Sequence, residues 1–209
     1  SLSPSQMAMA ELLYETSKPE VDLHNITSVF QRDVSLSYKL LRYANSPIFK
    51  RRSEVSSIKQ ALVILGSAEL KRFIGLMFAN NVNPNKPTEL ITAAMTRARF
   101  CEVLTQNIDT SVDASIAFLT GLLSLIDAIL DEKLENILAK LPLAQTIKDS
   151  LLLKKGEMAT LINLVELIEH ADWQKSNSVI NTLGIDKEKV AQYYSDALIW
   201  ADEQVKLTG

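Results

Sequence analysis

The stretch from residue 117 to residue 130 constrains the fold more than any other part of the chain. Its sequence is Ala-Phe-Leu-Thr-Gly-Leu-Leu-Ser-Leu-Ile-Asp-Ala-Ile-Leu, and ten of these fourteen residues are apolar. A helix that is apolar around most of its circumference is buried, whereas a surface helix has an apolar stripe on one side only. Gly121 costs such a helix roughly 1 kcal/mol relative to alanine, so we expect it to allow close approach of a neighbouring helix. The stretch predicts a central buried helix.

The spacing of apolar residues in the rest of the chain is also helical. Between residues 88 and 108, Ile91, Ala94, Met95 and Ala98 recur every three or four positions, which is the period of one helix face. No stretch alternates with the period of two that a half-buried strand requires. These patterns predict an all-α fold of roughly ten helices.

Capping residues predict where these helices begin and end. A side-chain oxygen at the N-cap accepts hydrogen bonds from the first free amides of a helix, and glycine or asparagine often ends a helix in a left-handed conformation. We expect Asn45-Ser46-Pro47 to end one helix and Gly66 to form the corner between two others. The predicted N-caps are Asp22, Asp33, Ser57, Thr88, Asp131 and Asp186.

The organisation of the chain favours one domain over residues 1–209. Neither a linker rich in glycine and proline nor an internal repeat divides it. Residues 1–20 are expected to form an N-terminal helix, and residues 174–209 a C-terminal helical extension. Because the sequence begins without methionine, we interpret it as a fragment whose first helix could join an upstream domain.

Several features predict a cytoplasmic protein. No apolar run reaches the length of about 18 residues that spans a membrane, and the first residues do not resemble a signal peptide. The single cysteine, Cys101, excludes an internal disulfide, as is usual in a reducing compartment. Because Cys101 lies in an apolar stripe, we interpret it as a buried structural thiol.

Positive charge is concentrated in one segment of an acidic chain. The formal net charge is −3, yet residues 39–72 include eight basic and two acidic residues, a local charge of +6 that leaves −9 elsewhere. A solvated face is one interpretation, and a surface that meets an acidic partner or a phosphate is the other. Tyr38 and Tyr43 could belong to such a recognition surface. The candidate interaction residues are Lys39, Arg42, Lys50, Arg51, Arg52, Lys59, Lys71 and Arg72.

The ionisable residues do not form a pattern typical of catalysis. A hydrolytic metal site requires several converging His, Asp or Glu ligands, and His24 and His170 lie in different predicted helices. We interpret His170 as a helix-end residue satisfied by a carboxylate or by water. A glycine-rich phosphate loop, a Cys-x-x-Cys pair and a Gly-x-Ser-x-Gly turn are also missing from the sequence. We therefore expect no catalytic residue, no bound metal and no cofactor.

Two arginines and two tryptophans have alternative interpretations. Arg97 and Arg99 are interpreted as surface residues whose aliphatic stems pack on a helix, with anion binding as the alternative. Trp173 and Trp200 are expected to be in the core or half-buried, with a partner contact as the alternative.

Several stretches together resemble one family. Residues 32–47, Arg-Asp-Val-Ser-Leu-Ser-Tyr-Lys-Leu-Leu-Arg-Tyr-Ala-Asn-Ser-Pro, are similar to the signature of HDOD domains, the HD-related output domains of bacterial signalling proteins. Further similar blocks are 57–66, 95–102, 117–127, 168–173 and 196–201. This combination is similar to the C-terminal half of EAL–HDOD proteins, in which an EAL domain tied to cyclic-di-GMP turnover precedes the HDOD module. The structural positions of the motif are Asp33, Asn45, Ser46, Gly66 and Gly121.

The resemblance also indicates which chemistry is missing. In the related HD phosphohydrolases, an adjacent His-Asp pair of metal ligands follows Gly-Leu-Leu, and here Ser124 and Leu125 stand at those positions. Arg97 and Ala98 occupy the region where an upstream ligand histidine would be expected. The resemblance therefore implies an all-α, HD-like module without catalysis of its own.

The expected function is a non-catalytic signal-transduction module that binds another protein or the EAL domain of its own polypeptide. The helix pair around Gly66 resembles a DNA-binding helix-turn-helix in outline only, so we do not expect nucleic acid as a partner, nor a membrane. Two alternatives stay open: a degenerate HD-type metal-dependent phosphohydrolase, and a nucleotide-binding sensor that uses the arginines.

Overall fold

Helices account for nearly all of the regular structure. The computed structural model describes residues 4–18, 20–49, 53–82, 85–141 and 143–208, and these residues form twelve α-helices, one short 3-10 helix and no strand. The all-α prediction is confirmed. The helices are α1 (Pro4–Ser17), α2 (Leu23–Arg32), α3 (Val34–Ala44), α4 (Ile58–Val82), α5 (Thr88–Gln106), α6 (Ala114–Leu123), α7 (Ile126–Leu130), α8 (Leu134–Lys140), α9 (Gln145–Leu152), α10 (Glu157–Glu169), α11 (Trp173–Leu183) and α12 (Lys187–Thr208), with the 3-10 helix at Pro47–Phe49.

Four of the predicted N-caps are confirmed. The carboxylate of Asp22 accepts hydrogen bonds from two amides of the first turn of α2, and Asp33 accepts one from the amide of Leu36 at 3.0 Å. Ser57 and Asp186 cap α4 and α12 in the same way. Each of these side chains satisfies an amide that has no partner within its helix, so local chemistry alone fixes these helix starts.

The predictions for Thr88 and Asp131 as N-caps are wrong. Pro87 precedes α5 without a side-chain cap, and Asp131 follows α7 in a left-handed conformation with φ of 53°. Helices α6 and α11 instead begin after the capping residues Asp113 and Asp172, which the sequence analysis missed.

Gly66 introduces the expected corner in the helical segment that follows Ser57. Its backbone has φ of 76° and ψ of 172°, so α4 consists of two helical parts that meet at this residue. A positive φ of this kind strains any side chain with a Cβ atom, which explains why glycine stands there.

The buried stretch 117–130 is not one continuous helix. Helix α6 ends at Leu123, and α7 begins at Ile126. The hydroxyl of Ser124 donates a hydrogen bond to the carbonyl oxygen of Gly121 at 2.7 Å, a local bond that competes with the helical pattern. The break therefore coincides with Ser124 and Leu125, the positions that stand in place of a His-Asp pair.

Gly121 allows α5 and α6 to pack closely, as predicted. A Cβ atom at this position would lie 2.7 Å from the carbonyl oxygen of Arg97 and 2.8 Å from the Cα atom of Ala98. Both neighbours are backbone atoms, which cannot turn away as a side chain can. This contact places Arg97 directly beside the C-terminal end of α6.

Two apolar clusters share α5 and α6. The larger one includes Ala94, Met95 and Ala98 of α5 together with residues from α1 to α9. The smaller one includes Phe100 and Leu104 of α5 and the inner faces of α10, α11 and α12. Because α5 contributes to both clusters, the chain folds as a single domain with α5 and α6 at its centre.

Candidate functional site

The polar centre of the molecule is built around Arg97. This residue lies on α5 between the buried residues Thr96 and Ala98, and only 6% of its surface is exposed. The interpretation of Arg97 as a surface residue is therefore wrong. Its position within an apolar stripe could have predicted this burial. A buried arginine side chain must find partners inside the protein.

The guanidinium of Arg97 joins three parts of the fold. It donates two hydrogen bonds to the carboxylate of Glu169 at the end of α10, at 2.6 and 3.0 Å. It also donates to the hydroxyl of Ser124, between α6 and α7, at 3.2 Å and approaches Glu166 at 3.5 Å. We call Arg97, Ser124, Glu166 and Glu169 the Arg97 cluster. Paired N–H groups meeting a carboxylate in this way are a strong and directional contact.

The guanidinium of Arg97 thus lies beside the position at which the related HD phosphohydrolases have metal ligands. Ser124 stands in place of a ligand histidine and instead accepts a hydrogen bond from Arg97. The carboxylates of Glu166 and Glu169 contact the same guanidinium. The neighbouring carboxylates raise the pKa of Arg97 above its ordinary value although burial opposes this, so the guanidinium keeps its charge at any physiological pH.

A second ionic group surrounds Glu102 on α5. Arg72 donates to Glu102 at 2.9 Å and to Glu69 at 2.5 Å, and Arg99 donates to the other oxygen of Glu102 at 2.6 Å. The hydroxyl of Tyr43 donates to Glu69 at 2.5 Å. We call these five residues the Glu102 cluster. Its two arginines and two glutamates balance in charge, which permits the burial of Glu102 and the partial burial of the other three between α3, α4 and α5.

Two further features connect the Glu102 cluster to its surroundings. The guanidinium of Arg99 lies 5.5 Å from the ring centre of Trp200, within the range of a cation–π contact. Burial and the charge of Glu69 raise the pKa of Tyr43 well above its ordinary value, so the phenol stays protonated and acts as a donor. Trp200 is half-buried, as expected, whereas Trp173 is 58% exposed and that prediction is wrong.

The basic segment is divided between the surface and the interior. Arg42 and Lys59 are exposed and Lys39 is half-buried, while Lys71 donates to the hydroxyl of Ser115 at 3.1 Å. Arg72 belongs to the Glu102 cluster, so its charge is balanced internally. Lys50, Arg51 and Arg52 lie outside the described residues. Whether this segment contacts a partner stays a prediction.

A groove runs along the C-terminal half of α3. Tyr38, Leu41 and Arg42 form one wall, and the chain around Glu54 and Val55 forms the other. The groove has a volume of about 680 Å³. We call it the α3 groove. Tyr43 faces it only partly, because its ring is buried against Phe49 and Phe73.

Neither histidine side chain belongs to the Arg97 cluster or the Glu102 cluster, although His170 directly follows Glu169 in the chain. His24 is exposed on α2, and His170 is exposed at the end of α10. The His170 ring nitrogen Nδ1 lies 2.7 Å from the carbonyl oxygen of Glu166, so its partner is the main chain rather than the predicted carboxylate or water. Among the described residues, no group of three or more His, Cys, Asp or Glu side chains is placed to hold a metal ion.

A helix that crosses a membrane must be both long and apolar. In the part of the chain that the structure describes, none is both long and apolar enough to cross a bilayer.

A family model matches most of this chain, and two curated proteins are similar to nearly all of it. The model of the family described as "HDOD domain" matches residues 2–155. The cyclic di-GMP phosphodiesterase CdgJ of Vibrio cholerae is 35% identical over 97% of this chain and 47% of its own length. The protein YuxH of Bacillus subtilis, whose function is uncharacterised, is 33% identical over 91% of this chain and 46% of its own length. The chain thus spans about half the length of these relatives.

A solved structure has the same fold. The crystal structure of a protein from Marinobacter aquaeolei VT8, described as belonging to signal transduction, superposes with a TM-score of 0.71 at 16% identity. The match covers 100% of this chain and 59% of that one. At this identity the similarity shows the fold alone, and it extends beyond residue 155 to include α10, α11 and α12.

Proposed function

This chain belongs to the HDOD domain family, and on that premise we propose that it is a non-catalytic signalling module that acts by binding another polypeptide in the cytoplasm. The proposal assigns the cyclic-di-GMP phosphodiesterase activity of the relative CdgJ to the part of that protein which this chain does not match. The present chain would then belong to cyclic-di-GMP signalling as an output or regulatory half.

The observation that carries the proposal is the Arg97 cluster. A hydrolytic site needs carboxylates or imidazoles that are open toward a metal ion, a water molecule or a substrate. Here the two carboxylates of the cluster accept hydrogen bonds from a buried guanidinium, and the hydroxyl of Ser124 contacts the same group. These oxygens already contact the guanidinium of Arg97. This supports a structural rather than a catalytic role for the cluster.

The catalytic alternatives can be tested directly on the purified chain. We expect no hydrolysis of cyclic-di-GMP or of bis(p-nitrophenyl) phosphate in the presence of Mg²⁺, Mn²⁺, Fe²⁺ or Ni²⁺, and elemental analysis should find no stoichiometric transition metal. Turnover that depends on one of these metals would overturn the proposal in favour of a degenerate HD-type phosphohydrolase. Calorimetry with cyclic-di-GMP tests the alternative of a nucleotide sensor, for which saturable binding is required.

The binding role can be tested with the unmatched part of CdgJ, produced as a separate polypeptide. We expect calorimetry to detect association and the double substitution Arg51→Glu and Arg52→Glu to weaken it, because these cations belong to the basic segment of an otherwise acidic chain. The matched control is charge reversal at Lys187 and Lys189, two exposed lysines on α12. Equal effects of both reversals would indicate non-specific attraction, and the absence of association would exclude this partner.

A further inference from the structure

A second groove lies between the N-terminal turns of α2 and α4. Its volume is about 270 Å³, which is below the range of about 300–1,000 Å³ that is usual for a small-molecule site. A space of this size suits an inserted side chain of another protein better than a whole small molecule. We call it the α2–α4 groove, and it is lined by Leu23, His24, Thr27, Lys59, Leu62 and Val63.

Large apolar side chains at this groove are left in water. Leu23 is 44% exposed and Val63 is 67% exposed, while Leu62 between them is buried. Ile64, the next residue along α4, is also exposed. The residues that α2 contributes to the core are instead Ile26, Val29 and Phe30. Exposed apolar residues grouped around a concave surface are typical of a contact with another protein.

The charge at the α2–α4 groove is positive and is not balanced within it. Lys59 and His24 are the ionisable residues of its lining, and both are basic. In the described ranges of the chain, neither the ammonium of Lys59 nor the ring of His24 has a hydrogen bond or an ion pair. Lys71 and Arg72 of the same basic segment instead contact groups of this protein. The free ammonium of Lys59 therefore complements a carboxylate of a partner.

The two helix starts beside the groove differ in how they are capped. The carboxylate of Asp22 accepts hydrogen bonds from the amides of His24 and Asn25, so it serves as the N-cap of α2. Helix α4 begins with a neutral cap, because the hydroxyl of Ser57 accepts from an amide of its first turn. The positive end of the α4 dipole therefore adds to the charge of Lys59 without a carboxylate of its own.

From this geometry we propose that the α2–α4 groove binds a peptide segment of a partner protein in which an aliphatic or aromatic anchor lies next to a carboxylate. The anchor enters between Leu23 and Val63 and packs on Leu62, and the carboxylate pairs with Lys59. His24 borders the same site and supplies a ring N–H as a further donor. This inference rests on the proposed function, since it names the chemistry of the bound partner.

The test is selection of binding peptides from a random library on the full chain, followed by calorimetry with the selected peptides. We expect a recurring apolar residue beside Asp or Glu. Lys59→Glu should weaken binding about tenfold, because it replaces attraction with repulsion, and Val63→Ser about fivefold, because it removes apolar contact. The matched controls are Lys187→Glu, in the first turn of α12, and Ile199→Ser, at a residue that is 59% exposed. Both should have little effect.

A double-mutant cycle tests the proposed ion pair itself. The carboxylate of a selected peptide is changed to the amide, and both peptides are measured on the parent and on Lys59→Ala. We expect the amide to weaken binding severalfold on the parent and to have almost no effect on Lys59→Ala, since groups in direct contact are not additive. Equal losses on the two chains would contradict the pair with Lys59.

Other outcomes would overturn the inference as a whole. They include selection of peptides without an acidic residue, failure to select any peptide, and affinities unchanged by Lys59→Glu and Val63→Ser while the thermal melts of both variants match the parent. A dimer of this chain that is lost in Val63→Ser, measured by sedimentation velocity, would replace the proposal. Binding to phosphatidylserine vesicles that is lost in the same variant would also replace it. Metal-dependent hydrolysis would overturn the proposed function but leave the peptide result standing.

Discussion

Arg97 shows how one buried cation can connect several helices. A buried ion pair contributes little net stability compared with apolar packing, but removal of one partner leaves the other charge buried without compensation. Arg97 is almost fully enclosed, and its guanidinium contacts both Ser124, at the end of α6, and Glu169, at the end of α10. The cluster therefore fixes the relative position of α5, α6 and α10.

The first prediction concerns the substitution Arg97→Met. It keeps an unbranched apolar stem but leaves Glu166 and Glu169 next to each other without a cation, so we expect a loss of about 3 kcal/mol in the free energy of unfolding. Urea denaturation measures this loss. The matched control is Arg32→Met, which removes an exposed ion pair with Glu11 and should cost less than about 1 kcal/mol. Equal losses would mean that the Arg97 cluster is not a structural element.

The second prediction concerns the thiol of Cys101. It is fully buried, and burial raises its pKa to about 12. The thiolate is the reactive form, so we expect the folded protein to resist an aromatic disulfide reagent at pH 8 and to react with one equivalent after unfolding in urea. Rapid labelling of the folded chain would contradict the burial of α5 between the two apolar clusters.

Residue-level predictions from sequence were accurate where the cause is local and inaccurate where it is distant. Asp22 and Asp33 cap helices through amides two or three residues away, so their roles can be read from neighbouring positions. Arg97 depends on Glu169, which lies 72 residues further along the chain. The exposure of Trp173 likewise depends on how α11 packs, and no spacing in the sequence contains that information.

At the level of helices, the close contact between α5 and α6 determines the centre of the fold. The low polarity of residues 117–130 was sufficient to predict burial. It was not sufficient to predict the break at Ser124, because that break depends on a hydroxyl that bonds both the carbonyl oxygen of Gly121 and the guanidinium of Arg97. The end of α6 therefore combines a local hydrogen bond to Gly121 with a contact from α5.

The third prediction compares two glycine substitutions in adjacent helices. In Gly121→Ala the added Cβ would meet backbone atoms of Arg97 and Ala98 at under 3 Å, so α5 and α6 must separate, at a cost of about 2 kcal/mol. In Gly75→Ala the nearest atom is the end of the Leu122 side chain at 2.9 Å, which can move. We expect Gly121→Ala to lower the melting temperature clearly more than Gly75→Ala does. The reverse order would disprove close backbone packing at Gly121.

The fourth prediction concerns acid stability at the start of α6. Hydrogen bonds from Ser115 and the amide of Ile116 lower the pKa of Asp113 below its ordinary value of 3.8. The ionised carboxylate therefore stabilises the fold at neutral pH, and this contribution is lost as the pH falls from about 3.8 toward the lower pKa of the folded state. Asp113→Asn can still cap the helix but does not titrate. Urea denaturation at several pH values should show that the parent is the more stable protein at pH 7 and that the difference disappears under acid conditions. A constant difference would contradict this assignment.

For the molecule as a whole, the family match and the folding unit do not end at the same place. The family model stops at residue 155, whereas α10, α11 and α12 cover the face of α5 that carries Phe100, Cys101 and Leu104. Helix α12 also reaches the larger apolar cluster through Ala201. The apolar residues of the C-terminal helices predicted burial, but the sequence could not predict which helix they would cover.

The fifth prediction follows from this shared core and concerns a chain that ends at Gly156. Such a chain keeps the region matched by the family model but exposes Phe100 and Leu104 to water and leaves Arg97 without Glu169. We expect it to lose cooperative thermal unfolding and to aggregate, because a large apolar face becomes exposed. Circular dichroism measures the unfolding. Labelling of Cys101, which is slow in the intact protein, should become fast.

The control is addition of residues 157–209 as a separate polypeptide, which should restore protection of the thiol. Two results would contradict this prediction: cooperative unfolding of the shortened chain at the temperature of the full chain, and continued protection of Cys101. Helices α10 to α12 would then not be part of the folding unit. The Arg97 cluster could not be what holds α5 and α6 in place.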